Sequence, residues 1–301
     1  MQNLNIIEWF DKSTIKHLRL MFSFYLMPVF LFALSQANQI NWLNTVLAFV
    51  ILHLLVFPSS NGYNSFQDRD ETSIGGLRYP PKVNGNLYVV TLLFDILAVL
   101  SSLLISVIFT LLILMFIITS RAYSYRKIRL KKYPVIGFLT VFFFQGGFIF
   151  WLSTVAISGP INNSFFTVNN MICMAIASLF IGSMYPLTQI YQHESDKNDG
   201  VISISYKLGY NGTFVFSGLL FTIANVLLFY YFNLNHEPLA MFLFILFMIP
   251  VIIRLLRWAK QVRNDYSMAN YDNTMTINNL TSICMNLYFM LLIANGLFKF
   301  F

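Results

Sequence analysis

Long apolar runs separated by short polar stretches fill the chain. They predict membrane-crossing helices at residues 20–37, 42–58, 87–102, 103–120, 135–157, 169–190, 211–232, 239–256 and 277–298. Each run approaches the ~20 apolar residues that a helix needs to cross hydrocarbon. Unpaired backbone amides are costly in lipid, and the runs are too long and too evenly apolar for barrel strands. The expected fold is therefore all-α: a polytopic membrane protein whose nine transmembrane helices form a bundle around a central cavity, as one domain over residues 1–301. Residues 87–120 form one apolar stretch, too long for a single crossing of about 20 residues, so the reading splits it at Ser101 and Ser102 as a tight hairpin. One long tilted helix is the alternative.

Basic residues test that split. With nine spans, the N-terminal segment and the loops after spans 2, 4, 6 and 8 share a side. That side takes Lys12, Lys16, Arg19, Arg69, Arg78, Lys82, Arg121, Arg126, Lys127, Arg129, Lys131, Lys132, Lys197, Lys207, Arg254, Arg257, Lys260 and Arg263, 18 of the 19 basic residues, leaving Lys299 opposite. The positive-inside rule makes it the cytoplasmic side, with the N-terminus. Merging spans 3 and 4 would throw the six basic residues from Arg121 to Lys132 outside. The net charge of +7 then reflects topology and anionic headgroups of the bilayer, and no nucleic-acid partner is expected. The stretch NIIEWFDKSTIKHLRL, residues 5–20, mixes apolar and charged positions at helical spacing and is expected to lie in the interface before span 1. The charges of the first twenty residues and the lack of a small-residue cleavage site argue against a cleavable signal peptide.

At 57% hydrophobic and 10% charged, the chain has little polar chemistry to offer, yet half of its acids fall in two clusters. Asp68, Asp70 and Glu71 follow span 2; Glu194, Asp196 and Asp199 follow span 6. Charge parity puts both on the cytoplasmic face. Converging carboxylates repel one another unless a cation neutralises them. Magnesium suits that role, since it takes oxygen ligands and combines one or two carboxylates with water and substrate phosphates. Two such groups around one phosphate-bearing substrate point to ionisation of an allylic diphosphate at a lipid-accessible mouth. From spacing alone, a solvated loop network with Arg69 and Lys197 explains the acids equally well. Cys173 and Cys284 lie inside apolar runs and are read as packed thiols.

The stretch Asn64-Ser-Phe-Gln-Asp68-Arg-Asp70-Glu71, followed by Gly75-Gly-Leu-Arg78-Tyr-Pro-Pro, resembles the first aspartate-rich motif of the UbiA superfamily of intramembrane prenyltransferases. Tyr191-Gln-His-Glu194-Ser-Asp196-Lys-Asn-Asp199-Gly200, with the closing Lys207-Leu-Gly, resembles the second, and Tyr123-Ser-Tyr-Arg-Lys127 is similar to the family's segment after helix 4. That family also has nine helices, with its motifs after helices 2 and 6. The resemblance implies a magnesium-dependent transferase that takes a prenyl diphosphate donor and a hydrophobic or aromatic acceptor. It implies magnesium ligation by Asn64, Asp68, Asp70, Glu71, Gln192, Glu194, Asp196 and Asp199, with Asp68 and Asp196 central to catalysis. Asn64, Arg78, Lys127 and Tyr123 are implied on the substrate side, arginine as a bidentate fork and lysine as a point charge.

Two positions depart from the family pattern. Thr72 stands where the next aspartate of the first motif belongs, and Gln192 where the first acid of the second does. These departures keep a second reading open, a nine-helix isoprenoid-binding or transport protein that retains the fold without the reaction. Asp95 lies about eight residues into span 3, roughly 12 Å deep. An unpaired charge there costs about 2.5–3.5 kcal/mol, so it faces the bundle interior, either serving an acceptor or held as a hydrogen-bonded structural acid. His53 is read as a packed histidine, and His193 is left out of the metal shell because imidazole suits magnesium poorly. Pro28, Pro186 and Pro250 fall inside predicted helices as kinks.

Overall fold

The structure, a computed structural model, describes residues 9–159 and 167–300, so residues 5–8 of the N-terminal stretch lie outside the described residues. Among the described residues, nine helices are long and apolar enough to cross a membrane. They are α1 Lys12–Ser35, α2 Trp42–Asp68, α3 Gly85–Ser102, α4 Val107–Ser124, α5 Pro134–Ser158, α6 Val168–Asn198, α7 Ile204–Leu234, α8 Pro238–Asn264 and α9 Tyr271–Phe298. Each predicted span falls on one of these helices. The hairpin is present: α3 stops at Ser102, and Ser106 caps α4 by accepting from the Phe109 amide. The Ser102 hydroxyl closes the turn on the Thr110 hydroxyl at 3.0 Å.

The largest differences are at the ends of α2 and α6. Both were expected to stop before their acidic clusters, yet α2 runs ten residues further, from 58 to Asp68, and α6 continues through a tight turn at Ile190–Gln192 to Asn198. The predicted span ended at residue 58, just before the polar, small residues Ser59, Ser60, Asn61 and Gly62. They are a packing surface: a Cβ at Gly62 would sit 2.8 Å from Thr91 and 3.1 Å from Leu87, so glycine lets α2 press on α3. The wide turn Ile51–Val56 just ahead of Pro58 absorbs the missing proline N–H without ending the helix.

The chain divides into two compact units, Met1–Phe24 with Trp42–Leu130, and Tyr25–Asn41 with Lys131–Phe301. In the first, α2, α3 and α4 pack together, and Leu18 joins Leu87 and Val90 of α3 in a buried cluster. The helical part Lys12–His17 of the N-terminal stretch docks on α2 and α3, with Thr14 and His17 buried. Asp11 caps it through the Thr14 amide, His17 Nε2 meets the Pro81 carbonyl at 2.8 Å, and Ser13 donates to the Lys82 carbonyl at 2.7 Å. The chain then turns at Arg19, in the left-handed region, and the Arg19 guanidinium holds the Asn61 and Gly75 carbonyls.

In the second unit α6 packs most closely on α7 and on the wide turn Phe142–Gly147 of α5. At Gly146 a Cβ would come within 2.4 Å of the Ser178 backbone, which is why that approach needs glycine. Phe32 lies 5.0 Å from both Phe150 and Phe289, and the Trp258 indole N–H donates to the Met268 carbonyl at 2.7 Å. Cys173 and Cys284 are buried free thiols, as expected.

Candidate functional site

The first acidic segment is helical where its candidate ligands are. Asn64 and Asp68, four residues apart, stand one turn from each other on α2. Asn64 Nδ2 donates to the Ser124 hydroxyl of α4 at 3.0 Å, which turns the amide oxygen to the other side. One turn earlier, Ser60 and Ser120 are 2.5 Å apart, so a polar seam joins α2 to α4. Asp68 Oδ1 accepts from Arg129 Nη2 at 3.1 Å, in a pair whose side chains are only 6% and 8% exposed. Arg126 Nε donates to the Gln67 carbonyl at 2.7 Å and its Nη2 to the Asp68 carbonyl at 3.3 Å.

The remaining candidates of the first unit are spread more widely. Arg69, left-handed with φ 55°, ends α2, so Asp70 and Glu71 leave the helix axis. Glu71 and Thr72 are exposed and Asp70 half-buried. The Ile74–Leu77 bridge closes a turn around Gly75 and Gly76, after which Arg78 lies exposed over Tyr79. Tyr123 is half-buried at the end of α4, and Lys127 is exposed three residues past it. Asp95 is held by the Arg121 guanidinium and by the Ser59 hydroxyl at 2.6 Å, while Arg121 lies 4.0 Å over the Tyr63 ring. Arg121, counted with the loop in the sequence, is on α4.

The second acidic segment repeats the spacing with other supports. Gln192 and Asp196 are four residues apart, an amide followed by an acid, as Asn64 and Asp68 are. Between them His193 is buried: Nε2 lies 2.8 Å from the Ser205 hydroxyl, which is 3.0 Å from the Thr213 hydroxyl, and the ring stacks on Tyr210 at 5.0 Å. Glu194 is exposed; Asp196 and Asp199 are half-buried. The segment closes at Gly200, φ 72°, with the Val201 amide donating to the Asp196 carbonyl at 2.8 Å.

Within either unit, no three His, Cys, Asp or Glu side chains of the described residues gather into a metal cage. Each contributes an amide and a carboxylate one turn apart. Such a sparse, all-oxygen donor set suits a hard cation that keeps water and phosphate oxygens in its shell. Sequence reasoning missed Arg129, Arg126, Ser124 and Arg121 as partners; an arginine inside an apolar helix near a lone buried acid was the available signal for Arg121.

A sequence model of the UbiA prenyltransferase family matches residues 20–280. Among solved structures, a UbiA homolog from Archaeoglobus fulgidus bound to GPP and Mg2+ superposes with TM-score 0.68 at 19% identity, covering 94% of this chain and 100% of that one. The apo structure of a UbiA homolog from Aeropyrum pernix K1 gives TM-score 0.69 at 16% identity, covering 90% and 98%. Digeranylgeranylglyceryl phosphate synthase gives 0.60 at 18% identity, covering 95% and 98%. At such identities the likeness is one of fold. No curated protein sequence matches the chain.

Proposed function

The chain belongs to the UbiA prenyltransferase family, and from that premise we propose that it is a magnesium-dependent intramembrane prenyltransferase. It binds a prenyl diphosphate through both acidic segments at the cytoplasmic face and passes the prenyl group to a hydrophobic or aromatic acceptor. The observation that carries this reading is the paired spacing, Asn64 with Asp68 and Gln192 with Asp196. UbiA homologs from Archaeoglobus fulgidus bound to GPP or DMAPP with Mg2+ support the donor class and the cation.

Asn64 and Asp68 of the first segment and Gln192 and Asp196 of the second are the principal oxygen ligands, and Asp70, Glu71, Glu194 and Asp199 add negative charge to their own segments. Magnesium held by these oxygens would neutralise charge on the diphosphate and so favour its departure. The allylic C–O bond breaks with its electron pair leaving on the diphosphate. The acceptor's nucleophilic atom then bonds to the allylic carbon and gives up a proton. Arg78, Lys127 and Tyr123 contact the diphosphate, and the exposure of Arg78 and Lys127 leaves both able to swing toward it. Asp95 contributes by holding α3 to α2 and α4 through Ser59 and Arg121.

The test is thermal stability of the purified protein with a panel of prenyl diphosphates, with and without magnesium, for wild type and Asp68→Asn. Stabilisation that needs magnesium and disappears in the variant supports the reading; indifference to every donor in well-folded protein overturns it. Thr72 and Gln192 favour a second reading, an isoprenoid binder that retains the fold. A binder is stabilised by the same donors yet releases no pyrophosphate when an acceptor is added.

A further inference from the structure

Arg129 combines two unusual properties beside the first acidic segment. Its backbone is left-handed, φ 49°, a conformation that is costly for a residue with a side chain. Its guanidinium is 3.1 Å from Asp68, in a pair almost closed to solvent. The turn is kept by the amides of Ile128 and Arg129, which donate to the Tyr125 carbonyl at 2.9 and 2.7 Å. Arg126 fastens the same segment to the Gln67 and Asp68 carbonyls. Residues 125–129 are thus drawn across the end of α2 with a strained residue at their close, and strain of this kind persists where surrounding contacts over-determine it. Lys127 rides on that segment.

A divalent cation at Asp68 needs negative charge and room for the water it keeps. A carboxylate 6% exposed, with a guanidinium already on one oxygen, offers little of either. We infer that Arg129 is a displaceable counter-ion of Asp68: a divalent cation replaces its guanidinium, and the released 125–129 segment carries Lys127 and Arg129 to the diphosphate. The inference rests on the reading that Asp68 binds a divalent cation. It makes cation binding and loop release one coupled event, with Arg129 acting as a positioning residue.

The experiment follows two readouts on the full chain in nanodiscs: Mn2+ binding by electron paramagnetic resonance, and amide hydrogen exchange over residues 123–132 with and without Mg2+. Wild type should exchange faster in this segment when Mg2+ is present. Arg129→Gln should exchange fast regardless of Mg2+ and bind Mn2+ about tenfold more tightly, because a buried carboxylate relieved of the guanidinium charge attracts another cation. Arg129→Lys, which keeps the charge, should restore wild-type behaviour. A purely structural arginine would also loosen the segment on substitution, but with Mn2+ affinity unchanged or weaker, and that result overturns the inference. The wild-type exchange measurement decides the matter alone if Arg129→Gln fails to fold. Mn2+ bound without any change in exchange removes the counter-ion role while sparing the metal site; no Mn2+ binding in wild type or variant removes both.

Discussion

The two acidic segments share a spacing and differ in how they are held. In the first, the acid is fixed by charge: Asp68 is buried against Arg129, and Asn64 is oriented by Ser124 of α4. In the second, Glu194 is exposed and Asp196 and Asp199 are half-buried, and the structural burden falls on His193, between Gln192 and Asp196, packed against Ser205 and Tyr210. A buried ion pair is hard to lose one partner at a time, because the survivor is left as an uncompensated charge. A packed ring can be altered without touching the candidate ligands beside it. The first segment therefore couples ligand chemistry to stability, and the second separates them.

The sharpest way to break this contrast is to neutralise each acid. Asp68→Asn and Asp196→Asn should both lower magnesium-dependent turnover by roughly a thousandfold, about 4 kcal/mol of barrier. Only Asp68→Asn should also destabilise the fold, by about 3 kcal/mol, since it removes the buried carboxylate charge that faces the Arg129 guanidinium. Equal denaturation midpoints for the two variants would erase the distinction. Next, His193→Ala should cost about 2–3 kcal/mol through lost packing and a lost buried hydrogen bond, whereas His193→Phe, which keeps the stacking, should cost about 1 kcal/mol. Chemical denaturation measures both, and a His193→Ala variant as stable as wild type would show that Ser205 and Tyr210 do not anchor the segment.

A third comparison stays within the first unit, where Asp95 with Arg121 is a second acid–arginine pair, wetter than Asp68 with Arg129. Asp95→Asn should cost about 2 kcal/mol, less than Asp68→Asn, and should leave Mn2+ affinity unchanged; a collapse of cation binding would place Asp95 at the metal. The smallest effect belongs to Arg78→Ala. This exposed side chain should lower donor affinity severalfold, about 1 kcal/mol, and leave acceptor affinity alone. Isothermal titration with a prenyl diphosphate separates the two.

Hydropathy made the nine helices legible, and the basic residues made the α3–α4 hairpin legible, because both signals add over many positions. The acidic segments stood out as the only dense carboxylates in an apolar chain. The continuation of α2 to Asp68 was hidden, since the apolar run ends before Ser59, Ser60, Asn61 and Gly62, which become a packing face only when Thr91 and Leu87 of α3 lie against them. Arg129 was hidden for another reason: it is 61 residues from Asp68, one basic residue among six, and its left-handed turn leaves no mark in residue type. His193 was set aside on ligand chemistry, but the partner that engages it, Ser205, lies across the Gly200 turn.

The turn between α3 and α4 also bears on how the protein is made. Only Leu103, Leu104, Ile105 and Ser106 separate the two helices, and Leu103 and Leu104 are exposed there. A link so short and so apolar cannot wait in water for its second helix to be synthesised. Helices joined so tightly cross as a pair, and a pair returns the chain to the face it left, so the later helices keep the direction they would have without it.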